Sequence, residues 1–178
     1  MSRTSNGASE LRFGLRRGLA AVSAFAVIAG IELFRFVLTP SLPRGVYLAR
    51  EVGAPETGLI VSFCPPPALG RALIARRLAA PGYCPGGSVP LAKRIAAIAP
   101  FACAGPEGVV INSRLLSWPR LPKSLGLPRF DACGPTPPDC AFVVGDSADS
   151  IDSRVFGCIP VGSLRNRLIP ILTERGVS

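Results

Sequence analysis

Hydrophobic positions in this chain come in short runs, with one exception near the start. Residues 18–31 are apolar and uncharged. Glu32 and Arg35 follow, three apart, where a helix would pair them. Phe34, Phe36, Val37 and Leu38 carry the apolar character onward. The 21 residues from 18 to 38 match the length of a bilayer-spanning helix. Beyond them, 19 Pro and 19 Gly cut the chain into short pieces, which predicts a mainly β fold. Residues 45–49, 58–63 and 91–98 read as strands, and 69–80 as the one helix after the apolar span. Residues 108–111 and 114–116 flank Asn112-Ser113, a hairpin tip. Residues 141–144 form a buried-type strand running into Gly145-Asp146. Residues 155–157 and 159–161 close the domain. The Leu- and Pro-rich stretch 115–130, with Trp118, reads as a long connection between hairpin strands.

This pattern divides the chain into a basic tail (1–17), a membrane anchor (18–38) and a β-rich domain (39–178). Arg3, Arg12, Arg16 and Arg17 precede the span and place the N-terminus in the cytoplasm. A signal peptide cleaved near the small residues at 20–30 is the competing reading. The anchor is preferred, because apolar residues continue past Glu32 and no clean small-x-small site ends the run. Residues 39–178 would then lie in the periplasm of a bacterium, against the inner membrane. Ser41 would stand a few residues beyond the membrane exit, at the height of the junctions between apolar export segments and mature proteins.

Composition adds constraints. A length of 178 residues suits one domain with appendages. Mean hydropathy is +0.40, high for a purely soluble protein. The net charge of +9 would favour anionic lipid headgroups. An Arg-rich surface without a ligand is the simpler account. No Lys/Arg run or aromatic-basic interleaving supports a nucleic-acid partner. The six Cys form no Cys-x-x-Cys, and with no His there is no mixed metal site; neither a metal nor another cofactor is expected. An even count suits disulfides in an oxidising compartment, with buried free thiols as the alternative. Cys133 and Cys140 bracket a turn-forming Gly-Pro-rich stretch, so a local bridge is expected there.

The absence of His also excludes a Ser-His-Asp triad. Of 20 basic residues 18 are Arg, which cannot act as a base; only Lys93 and Lys123 remain. In the strand 91–98, side chains alternate between faces, so Lys93 shares a face with Leu91, Ile95 and Ala97 while Arg94 points away. Aliphatic neighbours strip water from the ammonium and lower its pKa. A base working near neutrality needs a fall from about 10.4 to about 7–8, roughly 3–4 kcal/mol of destabilised charge. Lys123 sits in a loop that offers no such burial. A solvated lysine at a strand edge is the alternative for Lys93. Ser41, in Ser41-Leu42-Pro43-Arg44-Gly45-Val46-Tyr47, is the candidate nucleophile. Pro43 fixes φ there, and Gly45 would permit close approach of a substrate backbone. Thr39 could join the Ser41 amide in an oxyanion hole; a simple turn hydroxyl is the alternative.

Three ordered blocks carry a resemblance: Ser-x-Pro-x-Gly-x-Tyr after an N-terminal anchor, Lys93-Arg94 in an apolar strand, and Gly145-Asp146 followed by Ser150-Ile151-Asp152-Ser153-Arg154. Together they resemble the type I signal peptidase family. The branch most similar is that of the conjugative-transfer (TraF-type) peptidases, whose cysteine segments resemble Phe63-Cys64-Pro65-Pro66 and Gly82-Tyr83-Cys84-Pro85. Pro43 stands one place earlier than in general signal peptidases, and the Gly-Asp block is one residue shorter before Ser150. Both departures argue for the specialised branch. The resemblance implies a signal-peptidase-like β-rich catalytic domain with a Ser–Lys dyad: Ser41 as nucleophile, Lys93 as general base, Ser150 as the hydroxyl orienting the amine. Asp152 matches an acidic residue of the family, and Arg154 would pair with it. Asp146 and Asp149 read as turn residues. The implied substrate is an exported precursor, most specifically a pilin subunit, with hydrolysis or cyclisation as outcome. A general signal peptidase and a non-catalytic, disulfide-stapled assembly protein are the competing functions.

Overall fold

The computed structural model describes residues 33–174. The basic tail 1–17 and the apolar run 18–32 lie outside the described residues, and so does the anchor expected there. Among the described residues, no helix is long and apolar enough to cross a membrane. The last residues expected in the anchor are a strand instead: β1, Phe34–Val37, pairs antiparallel with β2, Gly45–Arg50. Alternation explains the difference, since Phe36 is exposed while Val37 faces the core, and such alternation satisfies a sheet better than a helix.

The remaining strands are β3 (Ile60–Phe63), β4 (Leu91–Ile98), β5 (Phe101–Ala104), β6 (Gly108–Ile111), β7 (Arg114–Ser117), β8 (Cys133–Pro135), β9 (Cys140–Val144), β10 (Ile159–Pro160) and β11 (Leu164–Thr173). Helix α1 spans Pro67–Ala75, and a single turn, α2, spans Ser153–Phe156. The strands form a seven-stranded sheet in the order β1-β2-β11-β3-β4-β9-β10, and a four-stranded sheet in the order β7-β6-β5-β8. Every strand pairing among the described residues is antiparallel. The mainly β expectation therefore holds.

Three apolar clusters hold the sheets. Tyr47, Ala49, Ile60 and Leu168 pack with Leu42 on one side of the large sheet. Val61, Phe63, Ile95 and Val143 pack on the other. Phe142 and Ala97 meet Val109 and Ile111 of the small sheet. The hairpin tip Asn112-Ser113 has φ of 46° and 70°, the left-handed pair that a two-residue turn requires.

Several boundaries differ from expectation. Helix α1 starts two residues earlier than 69, at a Pro that suits a first turn, and stops at Ala75 rather than 80. Its stop coincides with Arg77 at φ 57°. Val155 and Phe156 end α2, which Asp152 caps, and Gly157 is its C-cap. The longest strand, β11, was not foreseen. Its Arg165, Asn166, Arg167 and Pro170 obscure the alternation that buries Leu168, and a register shift at Pro170/Leu172 accommodates the proline.

The six cysteines pair as Cys64–Cys84, Cys103–Cys133 and Cys140–Cys158. The expected local bridge between Cys133 and Cys140 is not formed. The two belong to strands of different sheets, and Cys133 lies opposite Cys103 in the β5–β8 register.

Candidate active site

Lys93 is the buried lysine that the strand pattern called for. In β4 the buried positions alternate as Lys93, Ile95 and Ala97, and Lys93 pairs with Val61 of β3. Its side chain is only 4% exposed. Burial pushes the ammonium from 10.5 down to about 8; Asp152 pulls it back up, Arg154 pushes it down, and Asp146 raises it. Its Nζ donates to Ser150 Oγ at 2.8 Å. Ser150 is itself 1% exposed. Lys123, by contrast, is exposed in a short 3-10 turn.

Ser41 reaches the same place from the chain's other end. The Asp146 amide donates to the Ser41 carbonyl at 2.7 Å. Extending the β4–β9 register one step beyond Arg94↔Val144 sets Gly145 opposite Lys93. A methyl group on Gly145 would collide with Ser150 Oγ and come within 2.9 Å of the Ser41 carbonyl. The hydroxyl that holds the lysine and the backbone of Ser41 thus border one missing side chain. Here glycine is required by space and not by φ. Ser41 is half-buried, and its hydroxyl makes no hydrogen bond among the described residues. Neither the Ser41 amide nor the exposed Thr39 hydroxyl has a protein partner there.

The turn after Ser41 is locked from below. Tyr47, fully buried, donates its hydroxyl to the Pro43 carbonyl at 2.6 Å. Burial raises the Tyr47 pKa, as does Asp146, so the phenol stays protonated. Gly45 serves the fold rather than a substrate. At φ 149°, any side chain would strike the Leu172 carbonyl of β11.

Asp152 and Arg154 form the support. Asp152 is 0% exposed and takes a bidentate fork from Arg154, at 2.9 Å from Nε and 2.6 Å from Nη2. It also accepts from the Gly145 amide at 3.0 Å and caps α2 through the Arg154 amide at 3.1 Å. Arg154 reaches on to the Ser117 carbonyl at 2.8 Å, tying the small sheet to the site. A buried pair this well bonded resists loss of either member.

Two contributors escaped the sequence reading. Asp146 is more than a turn residue: its amide holds Ser41, and its carboxylate pairs with Arg94 at 2.9 Å. Ser153 accepts from the Val143 amide through Oγ, fastening β9 to α2. The Gly-Asp step and the pairing of opposite charges at 94 and 146 were visible signals, but only the register shows that they meet. No group of three potential metal ligands exists among the described residues.

Comparison with known proteins identifies the family. The family described as signal peptidase, peptidase S26, matches residues 12–172. The chain belongs to the signal peptidase family S26. Its relatives include the conjugal transfer protein TraF of Agrobacterium tumefaciens, 31% identical over 162 residues, covering 87% of this chain and 89% of the relative. The probable conjugal transfer protein TraF of Sinorhizobium fredii is 31% identical, covering 88% of each. The plasmid transfer protein TraF of Escherichia coli is 31% identical, covering 89% of this chain and 99% of the relative.

Proposed function

We propose that this chain is a serine endopeptidase of the conjugation apparatus, with Ser41 as nucleophile and neutral Lys93 as general base. The observation that carries the reading is the dehydrated Lys93 amine, bonded to Ser150 Oγ at 2.8 Å beside the glycine that also abuts Ser41. In the proposed reaction Lys93 takes the Ser41 proton as Oγ attacks a scissile carbonyl. The C–N bond then breaks, and the leaving amine takes that proton from Lys93. Ser150 holds the amine in line as a positioning residue. The unpartnered Ser41 amide, joined by the Thr39 hydroxyl, would receive the oxyanion. Asp152 and Arg154 hold Gly145 in place. The acyl-enzyme is released by water, or by the substrate's own N-terminal amine to give a circular product.

The substrate we favour is an exported precursor, a pilin subunit. The names of the relatives, the three disulfides and the apolar run that precedes β1 support action on the outer face of the inner membrane. Incubating the purified chain with a pilin precursor and with a generic Ala-x-Ala preprotein tests this. The pilin precursor should be cut, and Ser41→Ala and Lys93→Arg should both be inactive, since Arg keeps the charge but cannot accept a proton. Full activity in Lys93→Arg would refute the dyad. Cleavage of both substrates alike would make the chain a general signal peptidase. Cyclisation would appear as a product one water lighter than the hydrolysed peptide.

A further inference from the structure

A cavity of about 1200 Å³ lies away from Ser41, where β3 ends and β11 begins. It exceeds the usual range for a small-molecule site and is partly open to solvent, with room for an extended chain. Pro65 to Pro67, Pro85, Pro160 and the exposed Tyr83 give its walls ring faces, beside Arg35 and Asn166. Arg165 is set among them. Its guanidinium lies over the Tyr83 ring at 5.4 Å, and its Nε donates to Cys64 Sγ at 3.1 Å. Tyr83 precedes Cys84, so the Cys64–Cys84 bridge fixes both the stacking partner and the acceptor. The two terminal nitrogens of Arg165 have no protein partner among the described residues. No Asp or Glu lines the cavity. A planar fork, already oriented and facing no carboxylate of its own, is a carboxylate receptor.

We propose that this groove is an exosite for an acidic, extended segment of the polypeptide that the Ser41 centre cuts. The assignment rests on the peptidase reading for its purpose, though not for the binding itself. Val61 pairs with Lys93, and Cys64 stands three residues further along. That is roughly 10 Å along the strand direction, within reach of a few more residues of substrate. The prolines contribute ring faces and no amide donors, so at those walls an extended chain is held by packing, with the preference for acid coming from Arg165. An anionic lipid headgroup shares the charge but not the surroundings. The exposed apolar side chains that a bilayer would take up, Phe36, Leu38, Ile171 and Leu172, are not in this groove.

The full chain carrying Ser41→Ala, which binds without cutting, is titrated with a fluorescent Asp/Glu-Pro-rich peptide and with its Asn/Gln counterpart. The acidic peptide should bind about tenfold more tightly, and Arg165→Gln should erase that preference, as expected for one charge-assisted contact. Tyr83→Leu should weaken the preference while leaving the disulfide and fold intact. In active protein, Arg165→Gln should raise KM for a precursor bearing an acidic segment, with kcat unchanged. A short peptide lacking that segment should be cut as before. Equal binding of both peptides, or retention of the preference in Arg165→Gln, overturns the exosite. So does Arg165-dependent binding to phosphatidylglycerol vesicles without binding to the peptide. Failure of the unmutated chain to cut any precursor, with the acidic-peptide preference intact, would instead count against the peptidase reading and leave the exosite standing.

Discussion

Replacing Lys93 by Met should make the protein more stable at pH 7 and less stable at pH 10.5. The folded amine has a pKa of about 8, against 10.5 for the ordinary group, and burial is the main cause. Between those two values the unfolded chain holds a proton that the folded chain has released, so wild-type stability rises with pH across that window. Below pH 8 both states are protonated and the full penalty of the buried ammonium is present, about 3 kcal/mol. Met removes the charge at similar length. It also orphans the buried Ser150 hydroxyl, which costs roughly 1 kcal/mol. The variant should therefore gain about 2 kcal/mol at pH 7 and lose about 1 kcal/mol at pH 10.5. Urea denaturation of the full chain with disulfides intact measures this, followed by the fluorescence of Trp118, the single tryptophan, whose indole donates to the Gly105 carbonyl. A stability difference that stays constant from pH 7 to 10.5 would show that Lys93 titrates normally, and the argument for a base would fail with it.

Two further outcomes follow from the same geometry. If neutral Lys93 is the base, kcat/KM for precursor cleavage should climb about tenfold per pH unit below 8 and level off above it, so that activity at pH 7 is about a tenth of the plateau; a flat profile between pH 6 and 9 contradicts this. Gly145→Ala should cost about 1–3 kcal/mol by overpacking and lower cleavage at least 100-fold, because the new methyl displaces Ser150 Oγ and the Ser41 carbonyl together; near-normal cleavage by a folded Gly145→Ala protein would remove the close approach from the account.

What was legible in the sequence was local. Lys93 could be placed on the inner face of its strand because alternation in 91–98 has no interruption before the bulge near Ile95. The hairpin at Asn112-Ser113 was legible because two left-handed residues between apolar runs have few other uses. What could not be read depends on distant partners. Cys64 and Cys84 are brought together by the path through α1, and no spacing rule identifies that path. The strand β11 hides behind Arg, Asn and Pro because its neighbours β2 and β3 supply the pairing that its own residues do not announce. Gly45 was assigned to substrate approach when the backbone of β11 already occupies that space. Asp146 reads as a turn residue in isolation because its partners, Ser41 and Arg94, lie on separate segments.

The depressed pKa of Lys93 also depends on a charge that does not touch it. Asp152, fully buried nearby, pulls the lysine toward its protonated form. An unaccompanied carboxylate there would hold the ammonium as an ion pair and end its use as a base. Burial works against this, and Arg154 adds to it by occupying both Asp152 oxygens and by supplying a positive charge that pushes Lys93 down. The carboxylate is thereby left to accept the Gly145 amide and cap α2, which fixes the segment carrying Ser150. Within the Ser-Ile-Asp-Ser-Arg block, then, Ser150 binds the amine, Asp152 builds the loop that presents Ser150, and Arg154 offsets part of the electrostatic cost of having used an acid to build it. The spacing of two between Asp152 and Arg154 lets one turn of helix deliver both the cap and the fork.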